Sequence, residues 1–358
     1  MSEITAALAA TVREACVRES DVGTAPSRAD DGWNLGLWAA LEQIGVTTLA
    51  VPEEHGGAGG DVAAAVAVLE VLGEYSAGVP LAETALLAGW LLAGCGAAVP
   101  SDPMTAAVAG PGLRTSPERA GLSVWGTIAR VPWARCAHRV VVLDDRRVIV
   151  LEPGDLLLTP GANLAGEPRD DLAVDAIVPA SRVYDVPAGS AISVRAFRGR
   201  AALARAALMS GAARRALELS VAYAGEREQF GRPIAKFQAV QQHLAAMAGE
   251  TLLAKVAVEA AALAVDAHGD ADLAVASAKV VAGQMAGVVA SLAHQVHGAI
   301  GFTEEHSLRH STTRLWAWRD ESGNEDAWSV DLTRRVMSAG TGGLWPLLTG
   351  AHGNGVQR

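Results

Sequence analysis

Apolar residues recur at helical spacing over the first hundred residues of the chain. In the stretch WNLGLWAALEQIGV, Leu37, Leu41 and Ile44 lie three or four positions apart, which places them on one face of an α-helix. Gly45 follows at a position where a glycine commonly ends a helix. The segment from Ser2 to about Ala98 is therefore predicted to be helical.

A different pattern runs from about Pro100 to about Pro187. Short β-branched runs, RVVVLDD, RRVIVLEP and LAVDAIVP, are separated by proline, glycine and aspartate. Runs of this kind, bounded by turn residues, are typical of strands. We therefore expect a small antiparallel β-domain in this part of the chain.

The helical period returns from about Ser193 to Gly340. Apolar positions spaced by alternating threes and fours form a stripe made of Phe237, Val240, Leu244, Met247 and Thr251. Such a stripe suits either the seam of a helix bundle within one chain or a subunit interface.

Taken together, these patterns predict an α+β fold that is mainly helical. Its expected parts are an N-terminal helical domain at 1–98, a central antiparallel β-domain at 99–190, a C-terminal helix bundle at 191–345 and a tail at 346–358. A chain of 358 residues is long enough for two or three such domains.

Charge and composition restrict the classes of function. The formal net charge of -10 argues against a nucleic-acid-binding surface, which needs a basic stripe. The three cysteines are far apart and form no pair with metal-ligand spacing, so a reducing, cytoplasmic setting is expected.

The N-terminus does not resemble a signal peptide. The uncharged run from Thr84 to Ser101 is interrupted by glycines and a proline, and we interpret it as a buried helix rather than a membrane span.

A small cationic turn stands out in this acidic chain, within GEREQFGRPIAKF. Arg227 and Arg232 bracket Phe230 and Gly231. An isolated pair of arginines is usually solvated surface charge. Here, however, the guanidinium groups could bind a diphosphate, the phenyl ring offers an aromatic face, and the glycine permits a close approach. The combination favours a dinucleotide ligand.

A second cluster of polar residues lies in AHQVHGAIGFTEEHSLRH. Gln295 and His297 precede a turn of small residues that begins at Gly298, where backbone N–H groups can approach a ligand. The histidines of this segment do not have a zinc-binding spacing, so no metal site is predicted.

With these two motifs, REQFGRPIAKFQAVQQHLAAM and QVHGAIGFTEEHSL, the chain resembles the acyl-CoA dehydrogenase family over roughly residues 30 to 335. The resemblance implies two helical domains around a β-domain, with FAD as cofactor. It implies Arg227 as the ligand of the FAD diphosphate, often across a dimer interface, with Phe230 and Gln238 nearby. It also implies that Gln295 to Gly298 contact the adenosine half of FAD.

The implied reaction is α,β-desaturation of an acyl-CoA thioester, with electrons passed to an electron-transfer flavoprotein. The β-domain departs from the family pattern, because the usual Thr-Glu-Pro-Gly-Ser-Asp-like loop and a later threonine near the flavin are replaced by TAAVAGPGLRTSPERAG and GTIARVPWARCA. Two hypotheses follow. The chain is an active FAD-dependent dehydrogenase, or it is a non-catalytic or half-catalytic FAD-binding subunit of a heteromer. In either case we expect a homo- or hetero-oligomer of related subunits.

The position of the catalytic base is a further expectation from the resemblance. Counting from the second motif places the family's glutamate at Ser322, which cannot remove a proton, and its neighbour is Glu321. In a continuous helix one residue turns the side chain by about 100°. An ungapped count therefore directs the Glu321 side chain away from the expected place of the base. A shift of one residue in the helix or turn before Gly323 would bring Glu321 to that place, so Glu321 is predicted as the base. A surface partner for Arg319 is the alternative interpretation of Glu321, and Glu325 is a weaker candidate for the base.

Overall fold

The structure, a computed structural model, describes residues 2–19, 33–268 and 271–349. In this part of the chain, helices precede and follow a segment of strands, and the predicted mainly helical α+β fold is confirmed. Of the predicted tail, residues 350–358 lie outside the described residues.

The described N-terminal part is helical. Its helices are α1 (Glu3–Glu19), α2 (Leu35–Ile44), α3 (Val62–Glu74), a π-helix (Ala82–Ala88) and α4 (Gly89–Gly94). Helix α2 begins where the Asn34 side chain accepts a hydrogen bond from the Leu37 N–H. It ends at Gly45, whose φ of 85° is the left-handed conformation that glycine adopts without strain, so that helix end is confirmed.

The strands form two four-stranded sheets. They are β1 (Met104–Val108), β2 (Leu113–Glu118), β3 (Gly121–Pro132), β4 (Arg139–Leu143), β5 (Arg147–Leu151), β6 (Leu156–Thr159), β7 (Arg169–Pro179) and β8 (Val183–Asp185). One sheet has the order β2-β3-β7-β6 and is antiparallel, as expected. The other has the order β1-β4-β5-β8, and its β1 and β4 are parallel, which the prediction of purely antiparallel pairing did not include.

The C-terminal part is a bundle of long helices interrupted by one small hairpin. Its elements are α5 (Val194–Glu226), β9 (Glu228–Gln229), β10 (Arg232–Pro233), α6 (Gln238–His268), α7 (Asp272–His297), α8 (Leu308–Asp320) and α9 (Glu325–Thr349). The limits predicted at 98/99 and 190/191 fall in the connections before β1 and after β8, and they remain predictions about domains.

Two glycines allow α3 and α5 to cross at short distance. A Cβ at Gly73 would lie 2.0 Å from the carbonyl oxygen of Leu208, and a Cβ at Gly211 would lie 1.9 Å from that of Glu70. The crossing brings the N-terminal and C-terminal helices into one apolar core, to which α1, α2, α3, α5, α6, α7 and α8 all contribute.

The apolar stripe predicted on α6 faces this core. Met247 is 0% exposed and Thr251 is 8% exposed, while the other stripe residues are half-buried. The structure therefore uses the stripe as a seam within the chain. Another face of α6 exposes Leu252, Val256 and Leu263.

Helix α7 is the central helix of the bundle. With the turn that follows it, its length and composition would suffice to cross a membrane, but 56% of its most apolar window is buried inside the protein. The core helix of a water-soluble protein has the same properties, and Lys279 is fully buried in its middle.

Candidate active site

A cavity of about 790 Å³ lies where the N-terminal helices, both sheets and the C-terminal helices meet. The π-helix, β1, β3, α5 and α8 each contribute to its walls. Apolar side chains such as Leu87, Ile128 and Phe197 form part of the lining. The charged lining residues are Glu83, Arg130, Arg169, Arg205, Asp320 and Glu321.

Glu321, the predicted base, is held in this wall by two arginines. Its carboxylate accepts hydrogen bonds from Arg169 Nε and Nη2, both at 2.8 Å, and from Arg205 Nε at 2.6 Å. Asn163 Nδ2 donates a further bond at 2.9 Å. The Glu321 side chain is only 16% exposed.

These contacts determine how Glu321 ionises. Burial raises the pKa of its carboxyl group, but the charges of Arg205 and Arg169 and their hydrogen bonds outweigh burial and lower the pKa to about 2. A carboxylate with so low a pKa and with four donors already bound is a weak proton acceptor at neutral pH. Its role as base stays a prediction, but the geometry favours a structural role.

The ion pairs extend in both directions from Glu321. Arg205 also binds Glu83 of the π-helix, a residue that is 1% exposed. On the other side, Arg169 Nη2 binds Glu167 at 3.1 Å, and Glu167 binds Arg314 Nε at 3.1 Å. We call these six residues the ion network. Acidic and basic members alternate, so each buried charge has a partner of opposite sign, and the network connects the helical parts with the β-sheets.

Asp320 and Ser322 flank Glu321 in the same wall. Asp320 is the last residue of α8 and is exposed, whereas Ser322, at the counted position of the base, has a φ of 58°. Glu325 does not line the cavity, because its carboxylate binds Arg319 Nε at 2.9 Å and 3.0 Å.

The cationic turn is a two-residue β-hairpin between β9 and β10. Phe230 and Gly231 have φ values of 53° and 78°, the left-handed pair that such tight hairpins require. The Phe230 ring is 92% exposed. Arg232 lies over the ring of Phe237 at 4.4 Å. Arg227 is exposed and makes no ion pair with any residue that the structure describes.

The second predicted cluster adjoins this hairpin through Tyr223, near the end of α5. The Tyr223 ring stacks on His297 at 4.6 Å, and its carbonyl accepts the Arg227 N–H at 2.8 Å. His297 is 3% exposed, and its Nδ1 bonds to the Ala293 carbonyl oxygen at 2.8 Å. Burial lowers the pKa of His297, so its ring is neutral at pH 7, and its contact with the cofactor stays a prediction.

The remaining predicted residues are exposed. Gln238 lies at the start of α6, and Gly298 has a φ of 63° just after α7. Gln295 lines a second cavity of about 770 Å³, which Trp316 shares with the first cavity. The hairpin and the Gln295 segment are thus neighbours, while Glu321 belongs to a separate wall.

Two polar atoms in residues of the second cavity have no partner within the described protein. His294 Nδ1 and Arg309 Nε are both buried and make no hydrogen bond there. Buried polar groups nearly always find partners, so orphaned atoms beside Gln295 point to a polar ligand. A ligand with phosphate, ribose and aromatic base groups, such as FAD, fits these polar atoms, the exposed Phe230 and the Arg227 guanidinium, which has no ion pair among the described residues.

Sequence reasoning missed the ion network and the contribution of His294 and Arg309. Arg205 carried a usable signal, since it is the charged residue within the apolar run AALARAALMSG of α5. An arginine on the buried side of a helix needs a carboxylate partner. The partners themselves could not be identified from the sequence.

Comparison with known proteins decides the family. Models of the N-terminal and C-terminal domains of acyl-CoA dehydrogenases match residues 2–98 and 192–324. The acyl-CoA dehydrogenase IpdE2 of Mycolicibacterium smegmatis is 31% identical over 282 residues, covering 78% of this chain and 80% of the relative. This chain belongs to the acyl-CoA dehydrogenase family.

Solved structures of the family share the fold. Butyryl-CoA dehydrogenase from Megasphaera elsdenii matches with a TM-score of 0.83 at 19% identity, over 94% of this chain and 99% of the other. The ChsE4-ChsE5 complex from Mycobacterium tuberculosis matches with a TM-score of 0.82 at 24% identity, over 94% and 98%. The predicted class, an oxidoreductase acting on CH–CH bonds of acyl-CoA, and the predicted cofactor, FAD, are confirmed at the level of the family.

Proposed function

We propose that this acyl-CoA dehydrogenase takes part in the FAD-dependent α,β-desaturation of an acyl-CoA thioester. We further propose that it works in the cytoplasm and passes electrons to an electron-transfer flavoprotein. The observation that carries the proposal is the pairing of an exposed cationic hairpin with a neighbouring cavity in which His294 Nδ1 and Arg309 Nε have no partner among the described residues.

In this proposal Arg227 binds the diphosphate of FAD, and Phe230 and Gln238 lie against the same ligand. Gln295 and the backbone at Gly298 contact the adenosine half. A guanidinium group offers a rigid fork of donors that suits a diphosphate. The 92% exposure of Phe230 supports this role, because so exposed a ring gains stability when a ligand or a second subunit covers it.

The first cavity would accept the acyl group. Its apolar side chains suit an acyl chain, and a carboxylate in its wall removes the α-proton, which the thioester carbonyl acidifies. Bound FAD supplies the acceptor for the β-hydride. The residues of this chain orient the thioester and hold the proton.

An oligomer of this chain, with itself or with a related subunit, completes the proposal. The exposed face of α6 supports it, since Leu252 is 62%, Val256 54% and Leu263 61% exposed. Large apolar side chains that cluster on a helix face are commonly covered by another subunit. The stripe first considered for this purpose is already partly buried within the chain, at Met247 and Thr251.

A second candidate function is a half-catalytic subunit that donates its hairpin to the FAD of a partner chain. The ionic contacts of Glu321 and the serine at position 322 favour it, because neither side chain is a ready base. The similarity to a chain of the ChsE4-ChsE5 complex supports assembly with an unlike subunit.

Replacing Arg227 with alanine tests the cofactor site. A charge-assisted contact contributes about 1.5–3 kcal/mol, so the affinity for FAD should fall about ten- to hundredfold, measured by equilibrium dialysis. Arg119→Ala is the matched control, because Arg119 is an exposed arginine outside both cavities. Unchanged FAD affinity in Arg227→Ala would remove Arg227 from the site.

Turnover distinguishes the two candidate functions. The purified chain is assayed with butyryl-, isobutyryl-, octanoyl- and palmitoyl-CoA and a steroid side-chain acyl-CoA, using an artificial electron acceptor. Oxidation by the chain alone supports the active enzyme. FAD binding without oxidation, together with activity restored by a related subunit, supports the half-catalytic subunit.

A further inference from the structure

Three carboxylates line the first cavity, and two of them are already bound to arginine side chains. Glu83 is bound to Arg205, and Glu321 is bound to Arg205, Arg169 and Asn163. Asp320 differs from both. It is exposed, it lines the cavity, and its carboxylate makes no hydrogen bond or ion pair with any residue in the described ranges 2–19, 33–268 and 271–349.

The helix that carries Asp320 directs it to the cavity. Trp316 lies one turn earlier on the same face of α8, and both residues line the cavity together with Ala317. The indole of Trp316 supplies an apolar wall beside the carboxylate.

The end of α8 is fixed in place from behind. Lys279 Nζ, fully buried on α7, donates to the carbonyl oxygens of Trp318 at 3.2 Å and Arg319 at 2.7 Å. Arg319 is in turn bound to Glu325. These contacts satisfy the carbonyl groups at the helix end and hold the backbone of Asp320 in one position.

Asp320 also occupies an unfavourable place for stability. The C-terminal end of a helix carries partial negative charge, so an acidic residue there is unfavourable. The charges of Lys279 and Arg319 attract the Asp320 carboxylate without a direct contact, which leaves its oxygens able to meet a ligand in the cavity.

We propose that Asp320 is the carboxylate that removes the α-proton of the acyl-CoA thioester. The inference rests on the proposed function and deepens it. In this step the α C–H bond breaks, the proton moves to a carboxylate oxygen of Asp320, and the electron pair stays on the α-carbon in conjugation with the thioester carbonyl. Glu321, which the sequence had suggested, then serves to hold the wall in which Asp320 stands.

The test measures proton removal separately from oxidation. The FAD-loaded protein is incubated in D₂O with the thioesters of the panel above, and deuterium at the α-carbon is measured by mass spectrometry. Asp320→Asn is expected to lower the rate of exchange at least about a hundredfold, the contribution typical of a general base. FAD affinity and the melting temperature should stay as in the wild type, because the Asp320 side chain is exposed and unpaired.

Two variants serve as comparisons. Asp326→Asn removes an exposed carboxylate of α9 that lies outside both cavities, and it should exchange at the wild-type rate. Glu321→Gln removes the other candidate base, and per folded molecule it should lose less exchange than Asp320→Asn. Normal exchange in Asp320→Asn overturns the proposal, and lost exchange in a folded Glu321→Gln would then return the base to Glu321. Absence of exchange and turnover in the wild type, alone and with a related subunit, overturns the proposed function as well.

Discussion

Replacing Glu321 with glutamine is expected to destabilise the protein strongly at neutral pH. Glutamine keeps the size of the side chain but removes the negative charge that faces Arg169 and Arg205. Both arginines are nearly inaccessible to solvent, with side chains 2% and 7% exposed. The two buried positive charges would then lose one of the carboxylates that offset the free-energy cost of removing them from water.

The size of the effect follows from the ionisation of Glu321. Its pKa is 4.5 without the protein environment and about 2 in the folded protein. At about 1.4 kcal/mol for each pH unit, this difference stabilises the fold by about 3 kcal/mol at pH 7. Because the folded pKa is the lower one, the stabilisation is complete above pH 4.5 and is lost as the pH falls towards 2.

Urea unfolding of the FAD-loaded protein, followed by circular dichroism, measures the difference. Glu321→Gln should lose about 3 kcal/mol at pH 7, and the gap to the wild type should narrow as the pH falls below 4.5. Glu304→Gln is the control, since Glu304 is 76% exposed in its pair with Arg309 and should cost under about 1 kcal/mol. A loss below about 1 kcal/mol for Glu321→Gln, or a gap that does not depend on pH, would refute the role given to the ion network.

Further predictions concern packing and buried polar groups. Gly211→Ala should destabilise the protein by about 1–3 kcal/mol in urea unfolding, because the new methyl group would meet a backbone oxygen of α3. Its control is Gly225→Ala, which has open space around it and should be neutral or slightly stabilising. Thr84→Val should lower stability by about 1–3 kcal/mol in calorimetry, since it removes both hydrogen bonds to the buried backbone of Met104. Burial and the nearby charge of Arg205 lower the pKa of Lys279 from 10.5 to about 8. Between these pH values the unfolded chain holds the proton and the folded chain does not, so the stability of the wild type relative to Lys279→Met should rise with pH. A difference that does not change over this range would contradict the prediction.

Local features of the chain were predictable because they depend on neighbours in sequence. The end of α2 at Gly45 and the strands β4, β5 and β7 follow from short patterns. The hairpin at Phe230 was correctly identified as a turn. These elements need only the period of the apolar residues and the conformational freedom of glycine.

Features that join distant segments were not predictable in the same way. Arg205 and Glu83 are 122 residues apart, and Arg169 and Glu321 are 152 apart. A count along the sequence led to residues that line the first cavity, but it could not reveal that two arginines bind the Glu321 carboxylate. For the same reason the parallel pairing of β1 with β4, whose first residues are Met104 and Arg139, was missed.

The stripe on α6 shows a different limit. Its apolar character was evident from the spacing of Val240, Leu244 and Met247. Whether a helix covers such a stripe with its own chain or with a second subunit depends on the positions of all neighbouring helices. The sequence therefore left both uses open, and the structure places Met247 in the core with Leu244 packed against it.

The core shared by the first and last helices has a consequence for synthesis of the protein. Apolar residues of α2 and α3, including Leu41 and Leu69, are buried in the same cluster as Val289 and Trp318. While the ribosome is still translating the middle of the chain, the apolar residues of the N-terminal helices cannot yet be buried against the C-terminal helices. Helix α3 can pack on α5 once residues 194–226 have emerged, but the cluster is complete only after α7 and α8 follow, so the partly synthesised chain exposes apolar surface and is prone to aggregation.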